Sequence, residues 1–141
     1  MKLTNILSVA TLSILMSTTM AVSSAELSIK VTDINIQQGH LLVVLYDSEE
    51  AFDNKGKSLQ MSRIQVTEQS HNLTFKGLEA GTYAVKMFHD ENDNGKLDTN
   101  LVGIPSEGYG FSNNAGSMGP ASFKDASFSI TDNSEISIKL R

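Results

Sequence analysis

The run HDENDNGKLD, residues 89–98, gathers the residues of this chain best suited to hold an ion. Asp90, Asn92 and Asn94 stand two apart, Gly95 follows, and Asp98 comes three positions later. Against the calcium-loop pattern D-x-[DN]-x-[DN]-G, Asp90, Asn92 and Asn94 fill positions 1, 3 and 5, and Gly95 the sharp turn. The carbonyl of Lys96 falls at position 7 and Asp98 at position 9. Calcium takes about 6–8 hard oxygens, and a tight turn carries alternate side chains toward one point. Asn in two of the positions keeps oxygen donors while lowering charge repulsion. The match ends at position 12, where Leu101 replaces the bidentate Glu of an EF-hand, and a strand pattern precedes the loop instead of a helix. The spacing therefore predicts an isolated, stabilising calcium loop of weak affinity, on the order of 10⁻⁴–10⁻³ M. Glu107 is the first candidate for the missing carboxylate, with Asp47 and Asp53 as others. The competing reading is a bare hairpin turn, because Asn94-Gly95 turns without an ion and the acids would then be a solvated rim.

Three further groups could carry chemistry. His89 and Glu107, with a metal-bound water, could form a hydrolase site to which Ser106 or Ser112 contributes. No G-x-S-x-G elbow and no Cys supports it. His89 and Asp90 are neighbours on a strand pattern and point to opposite faces, which excludes them as a catalytic pair. The pattern places His89 at the core edge, hydrogen-bonded to the long loop that follows. His40 and His71 fall at strand starts and look incidental. Three scattered histidines do not make a zinc site. Tyr109 and Phe111, in GYGF, could stack on a sugar or clasp a peptide, with His89 beside them; alternatively they pin the loop to the fold.

The elements that must position these groups read as strands. ELSIKVTDINI alternates at Leu27, Ile29 and Val31, then slips to Ile34 and Ile36, which predicts a bulge near Thr32-Asp33. HLLVVLYD is apolar on both faces, as a central strand would be. SLQMSRIQVTE, HNLTFKGL and GTYAVKMFHD follow, and ASFSIT and EISIKL look like a hairpin around Asp132-Asn133. SEEAFDN is the nearest thing to a helix, about one turn. The pattern predicts an all-β fold, an antiparallel β-sandwich of about seven strands. Residues 99–122 break it with five glycines, both prolines and four serines. A loop of this length inside a compact domain tends to be functional. Leu101, Ile104, Tyr109, Phe111 and Met118 would anchor it over one end of the sandwich.

The chain opens with Lys2, an apolar run over 6–16 and small residues at Ser23-Ser24-Ala25. That is the pattern of a cleaved leader, residues 1–25, leaving one domain over 26–141 in the periplasm or outside the cell. The apolar run is too short for a bilayer span, which takes about 20 residues, and no Cys follows it for a lipid anchor. A net charge of −5 argues against nucleic-acid and anionic-membrane partners. With no cysteine, a bound cation is one alternative staple.

FKGLEAGTYAV, HDENDNGKLD, GIPSEGYGFSN and LYDSEEAF resemble a bacterial family known as domain of unknown function 2141. The resemblance covers most of 26–141 and implies a secreted or periplasmic β-sandwich. It assigns no activity, and directs attention to Asp90, Asn92, Asn94, Asp98 and Glu107. F-x-G-L-x-x-G-x-Y is more loosely similar to transthyretin-like and Cna-B-like modules, which implies binding or structural work by analogy. The leading expectation is an exported binding or structural module with a calcium-stabilised loop and a glycan, peptide or envelope-protein partner. The alternatives are the hydrolase and a ligand-free envelope protein, the latter with no cleft beside Tyr109.

Overall fold

The computed structural model describes residues 24–141 and consists of two packed sheets. The predicted leader lies almost wholly outside the described residues, and Ala25 opens the first strand. In chain order the strands are β1 (Ala25–Thr32), β2 (His40–Tyr46), β3 (Gln60–Gln65), β4 (His71–Leu78), β5 (Gly81–Asp90), β6 (Tyr109–Phe111), β7 (Phe128–Ile130) and β8 (Ser134–Lys139). One-turn helices α1 (Glu49–Phe52) and α2 (Phe123–Ala126) complete the set, with a 3-10 turn at Ser112–Asn114. The all-β sandwich expectation holds, with eight strands instead of about seven.

The first sheet has the order β4-β1-β8 and the second β3-β2-β5-β6. β1 pairs antiparallel with β4 but parallel with β8, so the sandwich is not purely antiparallel. β7 pairs with the start of β5 while β8 joins the other sheet, so the predicted hairpin does not form. The turn at 131–133 instead carries the chain from one sheet to the other. Both strands bury an apolar stripe, and each finds a neighbour distant in sequence.

The period of two explains the core. Leu27, Ile29 and Val31 of β1 and Leu41, Val43 and Leu45 of β2 are fully buried between the sheets. The expected bulge is a strand end: Asp33 takes a left-handed backbone at φ 63°, which turns Ile34 into the core and leaves Ile36 exposed. β2 and β5 also bury their outer faces. There Tyr46, Ala84, Phe111 and Phe52 of α1 form a second, smaller core, with Ala126 of α2. This outer layer is why HLLVVLY is apolar on both sides.

Candidate functional site

β5 runs without a break into the acidic loop, and Asp90 is its last residue, fully buried. The Asp90 carboxylate accepts from the backbone N–H of Asn94 at 2.9 Å and of Gly95 at 2.8 Å. Those bonds draw the chain into a turn in which Asp93 and Gly95 take left-handed backbones, at φ 60° and 78°. Asn92 Oδ1 accepts from Asn94 N at 3.1 Å, and Asn94 Oδ1 from Lys96 N at 2.9 Å. The Asn92 amide donates to Asp98 at 2.6 Å, and the Asn94 amide at 2.9 and 3.0 Å. Asp90, Asn92, Asn94 and Asp98 are thus gathered around one turn. Lys96 joins through its backbone N–H, which donates to Asn94 Oδ1, instead of the carbonyl expected at position 7.

Glu107 closes the loop from below. Its Oε1 accepts from Glu91 N and its Oε2 from Asp98 N, both at 2.9 Å. One nearly buried carboxylate therefore ties the first and last amides of the turn together. The long loop brings it there by folding back, with Ser106 N donating to Asp98 O at 2.9 Å, and Glu107 meets the acidic loop through backbone N–H groups.

The side-chain oxygens of Asp90, Asn92, Asn94 and Asp98 all accept hydrogen bonds within the turn. Two amide groups face Asp98 through their N–H while their oxygens accept backbone N–H groups of the same turn. Among the described residues no three His, Cys, Asp or Glu side chains group in metal-binding geometry.

His89 is buried on the inner face of β5. Its Nε2 lies 2.7 Å from the Gln38 carbonyl, so that nitrogen carries the proton and donates. Its Nδ1 is 3.8 Å from the Glu91 carboxylate. The expected link to the long loop is made by the backbone, His89 N donating to Gly108 O at 2.7 Å. His89 and Glu107 do share a cleft of about 320 Å³, with Ser106, Glu91, Tyr109 and Arg141. Ser112 lies elsewhere, fully buried, accepting from Val85 N at 2.9 Å and donating to the Ala126 carbonyl.

The long loop corrects one expectation. Phe111 is buried, but Leu101, Ile104 and Met118 are not anchors: Leu101 and Met118 are fully exposed and Ile104 is 59% exposed. Residues 99–105 form a tight finger instead. Asn100 Oδ1 accepts from Val102 N and Ile104 N, both at 3.0 Å, and Thr99 bridges to Pro105. The finger and the 117–121 segment wall a second, mostly apolar cleft of about 650 Å³ on the outer face of the second sheet. Its floor is Lys86, Tyr109 and Phe111. Tyr109 is half-buried, edge-on to Phe111 at 6.0 Å, with Arg141 5.5 Å above its ring. Tyr109 thus lines both clefts while also bracing the loop.

Two features escaped the sequence. His40, taken as incidental, bonds Asp93 at the tip of the acidic loop, and Arg63 reaches the same carboxylate at 3.1 Å. Only the pairing of β2 with β3 and β5 assembles this trio. Lys86 is the other. Its ammonium lies 4.0 Å from the Phe52 ring centroid and 5.4 Å from that of Tyr46, and donates to the Phe52 carbonyl. Burial lowers its pKa, and the nearby Asp53 opposes the shift. A lone lysine alternating with Ala84 and Phe88 gave no sign of this in the sequence.

A two-sheet sandwich with an acidic turn at one strand end and a cleft beside it defines an all-β domain. The chain belongs to the family described as "Uncharacterized protein conserved in bacteria (DUF2141)", whose model matches residues 29–139. No curated protein and no solved structure gives a match.

Proposed function

We propose that this chain is an exported binding module in which a calcium ion stabilises the 90–98 loop and the adjoining 97–121 surface receives a partner. The observation that carries the ion is the gathering of Asp90, Asn92, Asn94 and Asp98 around one turn, with Glu107 at its base. The leader pattern supports export to the periplasm or beyond. The two clefts that share Tyr109 favour binding over the ligand-free envelope reading. The larger one has an apolar wall and few polar groups, which suits an apolar partner better than a glycan.

The hydrolase reading draws support from the shared cleft of Glu107 and His89. Against it, both Glu107 oxygens already accept backbone N–H groups and His89 Nε2 is held by Gln38.

Thermal melts of the protein with millimolar calcium and with chelator test the ion. Against a dissociation constant of ~10⁻⁴ M, millimolar calcium is in ~10-fold excess and stabilises by ~1.4 kcal/mol. Calcium should raise the midpoint by several degrees, and Asp98→Ala should abolish the rise. An unmoved midpoint, or an equal rise in Asp98→Ala, removes calcium from the reading.

A further inference from the structure

We propose that the outer-face cleft binds an anionic amphiphile, its apolar chain lying between the 99–105 finger and the 117–121 segment and its head group meeting Lys86. This deepens the binding-module reading and does not depend on the calcium ion.

The cleft has the size of a small-molecule site, about 650 Å³. Leu97, Ile104, Pro105, Met118 and Pro120 supply apolar wall, and Tyr109 and Phe111 an aromatic floor. The tip of the finger extends this surface outward, with Leu101 and Val102 exposed next to Ile104. Apolar side chains held out on a hydrogen-bonded turn are an unusual expense for a soluble surface, and such patches mark interaction sites.

Charge decides the chemistry of the head group. Among the described residues, Lys86 is the one Asp, Glu, Lys or Arg side chain lining the cleft. It is half-buried, and among the described residues no carboxylate lies within ion-pair distance of it. The Phe52 carbonyl and the rings of Phe52 and Tyr46 hold the ammonium, and the Asp53 charge acts on it from beyond ion-pair distance. A half-buried cation with no anion in direct contact is costly, and a ligand carboxylate, sulfate or phosphate would supply that contact. Its lowered pKa has the same cause, desolvation, and an arriving anion would oppose that shift. In a protein of net charge −5, such a local cation is needed to draw an anion to this face.

A strand-adding peptide is the poorer occupant. The backbone N–H and C=O of Tyr109 both bond Arg141, at 3.0 Å each, so this part of β6 offers no free ladder. An acyl chain needs no backbone partner.

The test is calorimetric titration of the protein with decanoate and with decanol, below micelle formation and in chelator. Decanoate should bind about tenfold tighter than decanol, the worth of one charge-assisted contact. Lys86→Met should erase that ratio and Lys86→Arg keep it. Ile104→Asp, at an exposed position, should weaken both ligands. Equal binding of the two by the unaltered protein, or a ratio that survives in Lys86→Met, overturns the anionic head group while leaving an apolar binding cleft. Binding of neither overturns the amphiphile proposal alone and leaves the binding-module reading with a macromolecular partner. Decanoate binding with a calcium-indifferent melt removes only the ion.

Discussion

At the scale of single residues, Glu107 does the most for the site. It stands nine residues beyond Asp98, in a glycine-rich stretch, and its spacing marks it only as a spare carboxylate. In the fold it accepts the N–H of Glu91 and of Asp98, and so holds both ends of the acidic loop. Hydrogen bonds to a charged group contribute about 1.5–3 kcal/mol, and their loss here strands two backbone donors. Glu107→Ala should therefore cost about 2–4 kcal/mol in urea unfolding. Glu107→Gln, which keeps one acceptor, should cost less. If Glu107→Ala unfolds like the unaltered protein, the loop does not depend on this staple. The trio of His40, Arg63 and Asp93 is more exposed, and its loss should change stability by about 1 kcal/mol at most.

At the scale of elements, β5 organises the site. Its first residues pair with β7 and its later ones with β6, so one strand fixes both the start of the outer layer and the return of the long loop. β6 was invisible to strand periodicity, because three residues, YGF, carry no readable alternation. Its middle residue explains its sequence. A Cβ on Gly110 would lie 2.7 Å from the Met87 methyl, 2.9 Å from the Lys139 carbonyl and 3.0 Å from Ile138. Gly110→Ala should thus destabilise by about 1–3 kcal/mol, read by denaturant titration. Ser112, just after β6, satisfies the buried Val85 N–H, and Ser112→Ala should cost about 1–3 kcal/mol by orphaning it. A neutral result for either would mean that the loop is not packed as described.

For the whole molecule, stability at high pH sums opposing terms. Burial raises the pKa of Tyr46, and burial with the Glu79 and Asp47 charges raises that of Tyr83, from an ordinary 10.0. An acid with a raised folded pKa contributes stability below its unfolded value and loses it as the pH climbs toward the folded one. Lys86 works the other way: its pKa is lowered from 10.5, so rising pH relieves a cost of folding. Melting midpoints across roughly pH 9–11 should fall, with a shallower slope in Tyr83→Phe and a steeper one in Lys86→Met. An identical slope in all three proteins would show that these groups do not set the alkaline limit.

Local period and spacing made much of this protein readable from its sequence. The buried faces of β1, β2 and β5 follow from alternation two residues apart. The acidic turn follows from Asp, Asn and Gly placed within nine residues, because its bonds from Asp90 reach only four and five residues ahead. The tertiary structure alone decided what meets across the chain. It set β8 parallel to β1 and sent β7 to β5. It brought Glu107 beneath the acidic loop and Lys86 among the rings of Phe52 and Tyr46. Those contacts depend on which buried faces find each other in three dimensions, and side chains decades of residues apart leave no periodic mark of that choice.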